Sequence, residues 1–405
     1  MEDYVHLHVH TNYSILDGQS KVTRLVDKAV ADGMKGMAIT DHGVMFGIKE
    51  FSDYCAKVNK GRKEKGEAPF KPVFGCEMYV ARRSMHDKDK GMHDNSGYHL
   101  IVLAKNHHGY KNLIKLVSKA WVDGYYYKPR TDREQLEKYH EDLIVCSACI
   151  AGEIPSKIIH DDIEGAREAC EWYHRVFGDD FYLELQRHEV KDPTLAANRE
   201  AYPLQQKANR VLLRFAREYG IKVICTNDCH FEDKETAEAH DHLLCISTNE
   251  DLDDPKRMRY SKQEWFKTRQ EMNEVFSDIP EALTNTLEIL DKVEIYSIDH
   301  GPIMPNFDIP KDFGTEEEYR QRFTEAQLYD EFTQDENGNV VVDREEGEAK
   351  IKKLGGYDKL YRIKLEADYL GKLAYEGAKW RYGDPLDEET DARIKFELHI
   401  MKTMG

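Results

Sequence analysis

The chain has 405 residues, 40% hydrophobic and 33% charged, with a formal net charge of −18. That length suits two domains, or one large barrel with an appendage. There is no run of about 18 apolar residues, which excludes a membrane-spanning helix, and so acidic a balance excludes nonspecific nucleic-acid binding through bulk charge, because phosphate affinity comes mostly from Lys and Arg.

The N-terminus lacks the basic and apolar regions of a signal peptide, so a cytoplasmic location is expected. The eight cysteines are then expected to be free thiols or ligands rather than disulfides. The opening run YVHLHVHTNYSILDG puts His6, His8 and His10 at alternating positions, with Asp17 shortly after. A strand sends every second side chain to one face, so a strand here points three imidazoles one way and Leu7 and Val9 the other. Next, SKVTRLVDKAVADG places Val22, Leu25, Val26, Ala29 and Val30 on one helical face, with Ser20 as N-cap and Gly33 ending the run. GMAITDHG reads as a short buried strand ending in a polar turn. The alternation continues through KPVFGCEMYV, YHLIVLAKN, DLIVCSACIAG, FYLELQRH and KVICTNDCHF, with helical segments between most of them. Two of those helices follow from spacing: Ala166, Ala169, Cys170, Tyr173 and Phe177, then Leu204, Ala208, Val211, Leu212 and Phe215. Strands with interposed helices predict an α/β fold on a parallel sheet, open or closed into a barrel.

Beyond Asn249 the alternation fades. LDDPKRMRYSKQEWFKTRQEMNEVF reads as loop and helix, and IPEALTNTLEILDKV as an amphipathic helix. HGPIMPNFDIPKDFG, with Pro302, Pro305 and Pro310, is the expected boundary. The remainder reads as acidic and helical, with DENGNVVVD as a solvated hairpin turning at Gly338. The final run ARIKFELHIMKTMG is helical to its end, so a piece of a longer protein is expected.

Polar residues collect at the ends of the expected strands. They are His8, His10 and Asp17, then Asp41 and His42, then Glu77, then His99, then Cys146 and Cys149, and finally Asp228, Cys229 and His230. In parallel α/β folds, sites assemble at the carboxyl ends of strands, so these residues converge there. Each has a plain structural alternative. An Asp-His-Gly turn can simply lead into a helix, and a Cys-x-x-Cys pair can be two buried thiols. One contribution per strand end points instead to metal. Imidazole with carboxylate suits Zn²⁺, Mn²⁺ or Fe²⁺, and thiolate leans towards Zn²⁺.

HLHVHTNYSILDG, AITDHG, GCEMYV, CSACIAGEI and CTNDCHF resemble the motifs of the polymerase and histidinol phosphatase (PHP) family. More narrowly, they resemble the branch that opens the α subunit of bacterial DNA polymerase III, with GYYYKPRTD, DDPKRMRYS and DIPEALTNTLEI similar to later segments of that branch. The resemblance implies a distorted (βα)7 TIM-like barrel with a centre of two to three divalent ions at its mouth. A mostly helical α+β segment would follow. It matches the metal ligands to His8, His10, Asp17, His42, Glu77, His99, Cys149, Asp228 and His230, with Glu77 bridging two ions and His6 lying deeper in the barrel. The implied domains are a metal-binding barrel over 1–275, a helix and Pro-rich connector over 276–310, and an incomplete beginning of a polymerase palm region over 311–405.

A cluster of this type fits phosphoester hydrolysis. In a polymerase-attached domain the expected activity is 3′→5′ exonuclease proofreading on a DNA 3′ end, with His42, Asp228 and His10 as catalytic residues. Either His42 or Asp41 could shuttle a proton. Lys128, Arg130, Arg257 and Arg259 lie beside Tyr125, Tyr126, Tyr127 and Tyr260, a mixture that suits single-stranded ends. The alternative is a metal-stapled structural domain that stabilises the polymerase and docks a separate proofreading exonuclease. A free-standing small-molecule phosphatase is a third reading. The implied parent is a DNA polymerase that works with other replicase subunits, including a sliding clamp, away from any membrane. Because the Gly-Arg-Gly-Ser stretch and the palm carboxylates of the family are missing, this chain itself is not expected to extend a primer.

Overall fold

GMAI at residues 36–39 is apolar at every position because both of its faces are covered; it forms β1 (Gly36–Ile39), wholly buried. The computed structural model describes residues 1–303, 305 and 307–404. β1 pairs in parallel with the long β2 (Lys71–Ala81). β2 pairs antiparallel with β3 (Gly97–Ala104) and, near its end, in parallel with the two-residue β4 (Arg130–Thr131). β3 runs antiparallel to β5 (Leu143–Cys146), which is parallel to β6 (Phe181–Leu185), itself parallel to β7 (Val223–Cys225). The sheet order is therefore β1-β2-β3-β5-β6-β7, with β4 on the side of β2.

The sheet is mixed rather than all-parallel. The link from β2 to β3 holds one short 3-10 turn, Lys90–Met92, and no crossover helix. A strand that returns without a crossover pairs antiparallel to its predecessor. The opening segment also departs from expectation. It is extended but forms no regular strand. Ala38 donates its N–H to the His6 carbonyl (2.8 Å) and Thr40 to that of Val9 (2.8 Å), while His10 donates to Cys229 (2.8 Å) and Cys229 to His8 (3.2 Å). This segment therefore joins β1 to the residues just after β7, the two ends of the strand order, and the sheet curls into a distorted barrel.

Helices cover the outside: α1 (Val22–Ala31), α2 (Ile48–Glu64), α3 (His107–Val122), α4 (Arg133–Lys138), α5 (Glu153–Ile159), α6 (Ile163–Phe177), α7 (Ala201–Tyr219), α8 (Ala237–Thr248), α9 (Arg269–Val275) and α10 (Pro280–Lys292). α1 buries Val22, Leu25, Val26 and Ala29 and stops at Gly33, whose φ of +77° suits a residue without a Cβ. Its N-cap is Lys21, not Ser20, whose buried hydroxyl has no partner. α6 buries Ala166, Ala169, Cys170, Tyr173 and Phe177. α10 buries Leu283, Thr286, Ile289 and Leu290, and the Thr286 hydroxyl accepts from the Val5 N–H at 3.1 Å. The chain divides into two compact units between His300 and Gly301, within the proline-rich stretch.

The second unit is helical: α11 (Glu316–Arg322), α12 (Glu325–Thr333), α13 (Arg344–Lys353), α14 (Tyr357–Tyr382) and α15 (Glu388–Met404). Its own core includes Tyr319, Leu328, Phe332, Ile351, Leu360 and Leu365. α11 and α12 each begin with a capping box, Thr315 with Glu318 and Thr324 with Gln327. A single antiparallel bridge, Gln334 with Val340, closes the hairpin around Gly338, whose φ is +83°.

Candidate metal centre

His8 and His10 alternate along the extended opening segment, so both rings reach the same side, and their Nε2 atoms lie 3.2 Å apart. Both residues are fully buried. His8 Nδ1 donates to Glu184 Oε1 at 2.7 Å, so in the neutral ring the Nε2 lone pair would be the one offered to an ion. His10 Nδ1 meets Ser14 Oγ at 3.0 Å, and Ser14 in turn donates to Asp41 Oδ1 at 2.9 Å. The far end of the cluster follows β7. There Asp228 sits at φ +46°, a left-handed conformation uncommon for a residue with a Cβ and frequent at functional sites. It brings Asp228 Oδ1 to 3.0 Å from His8 Nε2 and 3.3 Å from His10 Nε2. His230 Nδ1 donates to the carbonyl of Asp228 (2.8 Å), so its Nε2 faces Asp17 Oδ2 at 3.2 Å.

Glu77, on the buried middle of β2, lies between these groups. Its oxygens stand 2.6 Å from His42 Nδ1, 2.9 Å from His99 Nδ1 and 3.4 Å from both His8 and His10 Nε2. His42 Nε2 faces Asp17 at 2.8 Å, and Cys149 Sγ lies 3.7 Å from His99 Nδ1. All the ligand positions implied by the sequence thus meet in one cluster. Three sets could each hold an ion: His8, His10 and Asp228; His10, His42 and His230; His42, Glu77 and His99.

Whether these residues suit divalent ions can be tested on their own hydrogen bonding. Glu77 Oε2, Asp228 Oδ1 and His42 Nδ1 are buried and make no well-aligned hydrogen bond, although each has charged or polar atoms within about 3 Å. Buried polar atoms are nearly always paired. Lone pairs that converge without bonding to one another are what a cation requires. Burial weighs most on His10, His42, His230, Asp17, Glu77 and Asp228. It pushes His10 down to about 3. At His42 the carboxylates of Glu77 and Asp17 outweigh it and lift the ring to about 10, and at His230 those of Asp17 and Asp228 lift it to about 9. The histidines in turn hold Asp17, Glu77 and Asp228 well below the usual carboxylate range despite their burial.

Above the cluster opens a cleft of about 470 Å³. Asp17, His42 and His99 lie at its polar end, and Tyr79, Trp121, Tyr125, Tyr127 and Tyr260 line it. The Tyr260 hydroxyl donates to Asp17 Oδ1 at 3.2 Å. Lys128 is exposed at the rim, its Nζ 5.4 Å from the centre of the Tyr79 ring. The other cations expected to meet nucleic acid need correction. Arg130 is 0% exposed, and its guanidinium donates to the carbonyls of Asp94 (2.6 Å), Met85 (2.9 Å) and Asp87 (2.9 Å), organising the 82–96 loop. Arg257 is buried in a two-pronged pair with Asp241 (2.7 and 2.6 Å), and Arg259 donates to the carbonyls of Asp254 and Pro255 within its own loop. Asp41 is also unsuited to shuttling protons at the cleft. It is buried beneath Thr11 and Ser14 and accepts from both. His6 is satisfied by the Lys267 carbonyl (2.7 Å) and the Tyr4 hydroxyl (3.1 Å). Spacing alone pointed to none of Glu184, Trp121 and Tyr79.

The PHP domain pattern matches residues 6–188. This region belongs to the PHP family. Over 323 residues, 79% of its length, the chain is 41% identical to the DNA polymerase III subunit alpha of Borreliella burgdorferi, covering 26% of that protein. The corresponding subunit of Treponema pallidum is 36% identical over 81% of the chain and 26% of its own length, and that of Thermus aquaticus 36% over 79% and 25%. The chain therefore spans about a quarter of the length of these relatives. An amidohydrolase structure from Chromobacterium violaceum superposes with a TM-score of 0.31 and 13% identity, covering 56% of this chain and 87% of that one, too loose a match to carry weight. Among the described residues, no helix is long and apolar enough to cross a membrane.

Proposed function

We propose that the first unit is a divalent-metal-dependent phosphodiesterase acting on the 3′ end of a DNA strand. In this reading it is a 3′→5′ proofreading exonuclease within a longer replicative DNA polymerase whose palm lies outside this chain. The observation that carries it is the convergence of buried Glu77, Asp228 and His42 atoms, close together yet without well-aligned hydrogen bonds, beneath an aromatic cleft. His8, His10, Asp17, His42, Glu77, His99, Cys149, Asp228 and His230 would hold two to three Zn²⁺, Mn²⁺ or Fe²⁺ ions. Bound ions of this kind supply a nucleophile from water near neutral pH and offset charge on the phosphate. The chain's own residues do the rest. Glu184 and Ser14 fix the His8 and His10 rings so that Nε2 of each faces the cluster. His42 lines the cleft and is the residue positioned to move a proton at Nε2, whereas His10 and Asp228 lie below it and act by holding ions. Lys128 offers a charge at the rim for a phosphate.

A second reading has its own support. His8 and His10 are fully buried, and ions held between them and Asp228 would bind the opening segment to the chain after β7. Metal affinity would then be folding energy, and the domain would serve as a dock for a separate exonuclease and other replicase subunits. Nucleotide release from a 3′-labelled single strand with Mn²⁺ or Zn²⁺ decides between them. Release that a chelator abolishes, and that His10→Ala and Asp228→Ala both lose, supports the nuclease. If metal binds but nothing is released, and the variants are only less heat-stable, the cluster is a staple.

A further inference from the structure

Aromatic rings stand in the open at the mouth of the cleft. Trp121, at the end of α3, is 44% exposed and Tyr125 47%. Their rings stack 5.4 Å apart at 17°, while the Trp121 indole N–H donates to the Gly43 carbonyl at 2.8 Å. Gly43 is next to His42, so the indole is tied to the loop that carries a candidate ligand. Phe46, 61% exposed, lines the same cleft. Tyr127 holds a φ of +61°, a left-handed conformation that a bulky side chain rarely adopts, and its ring joins the wall. Trp121 and Tyr125 cover one face of each other, yet much of each side chain stays in water. Exposed rings suit a flat π-system, and stacking on them tolerates any base. Cations are scarce here: among the described residues lining the cleft, Lys128 is the one lysine or arginine. A surface that follows a long phosphate backbone needs several. Rings beside the ion cluster and a single cation fit a short segment, the last one or two nucleotides.

We propose that Trp121, Tyr125 and Phe46 form a stacking subsite for the terminal, unpaired nucleobases of a single strand, indifferent to which base is present. The inference rests on the phosphodiesterase reading for its biological use, but its test is binding alone. Fluorescence anisotropy of a 5′-dye-labelled deoxyoligonucleotide would be titrated with the full chain, using an ordinary 3′ end and one whose last two positions are abasic. Removing a base–aromatic contact weakens single-strand binding by roughly 5- to 150-fold. We expect Trp121→Ala and Tyr125→Ala to weaken binding of the ordinary strand by about 10-fold or more, and Trp121→Phe to recover most of it. The abasic strand should bind wild type about as weakly as the ordinary strand binds Trp121→Ala, with little further loss in that variant. Trp380→Ala, which removes an even more exposed indole from the second unit, is the control and should change nothing. Binding indifferent to the abasic end and to both alanine variants overturns the subsite, as does the absence of any oligonucleotide binding; the patch is then better explained as a protein contact. Binding that follows the predicted pattern without nucleotide release would retain the subsite and sink only the nuclease.

Discussion

Glu184 lies in FYLELQRH as one acidic residue among many, yet its carboxylate accepts from His8 Nδ1, Thr226 Oγ1 and Gln186 Nε2 inside the barrel. A carboxylate behind a ligating histidine fixes its tautomer and raises its basicity, and losing such a partner typically weakens metal binding 10- to 100-fold. Glu184→Gln should show a loss of that size in chelator-competition titrations; unchanged affinity would mean that His8 needs no such support. The ligand candidates themselves were legible because histidine and aspartate at i, i+2 spacing have few other uses. Glu184 was not, because a sequence records no rotamer or partner. Lys267 makes a similar point. Burial lowers its ammonium to about 8 from 10.5, with the charge 3.5 Å from the centre of the Trp265 ring. Below pH 8 the amine is charged in folded and unfolded chains alike, and above 10.5 it is neutral in both. In between, the unfolded chain keeps a proton that the folded chain has released, so this group makes stability rise with pH, by roughly 3 kcal/mol across the window. Lys267→Met should lack that rise when urea unfolding of the two proteins is compared between pH 8 and 10.5. Parallel pH profiles would show that the ammonium is not destabilised by its site.

At the scale of elements, apolar spacing located helices better than it located their buried faces. α6 buries the residues that its periodicity marks. α7 is rotated from expectation: Leu204 is exposed and Val211 half-buried, while Gln205 and Asn209 face inward with Ala208, Leu212 and Phe215. The cause is the chain leaving β6. Gln205 Oε1 accepts from the His188 N–H at 2.8 Å, and Asn209 Nδ2 donates to the Gln186 carbonyl at 2.9 Å, so two amides satisfy backbone that the sheet no longer pairs. Hydrophobicity cannot reveal that exchange. Leu204→Ala should therefore change stability by less than about 0.5 kcal/mol, whereas Gln205→Ala should cost about 1–3 kcal/mol by stranding buried polar groups. Urea denaturation of the two variants reads both, and the reverse order would restore the face drawn from spacing. Strand direction was equally hidden. Periodicity is the same for a strand run either way, so β3 could be placed but not oriented, and β4, two residues long, left no pattern.

For the whole molecule, charge sets limits that no single contact escapes. At −18 the chain repels a polyanion at long range, and the sequence conveyed that directly. It conveyed six of the sheet's strands, but the seventh it predicts, the opening segment, is extended without forming a regular strand, and β4 takes that place in the count. It misjudged where the cations go. Arg130 and Arg257 stand beside tyrosines in the sequence, but folding directs their guanidinium groups to loop carbonyls and to Asp241, so the expected basic surface shrinks to Lys128. That changes how salt should act. Each phosphate neutralised on a single strand contributes about −0.7 to the slope of log affinity against log salt. One cation gives a slope near −0.7, and screening of the chain's own repulsion makes it shallower still. Anisotropy titrations of a short single strand at about 50 to 200 mM salt should return a slope between roughly −0.7 and zero. A slope steeper than about −3 would require roughly four phosphate contacts. The strand would then lie along a cationic path outside the cleft, and stacking on Trp121 and Tyr125 could not be its main hold. A shallow slope combined with sensitivity to an abasic end would instead mean that an acidic protein holds a polyanion mainly through base faces and a small ion-filled floor.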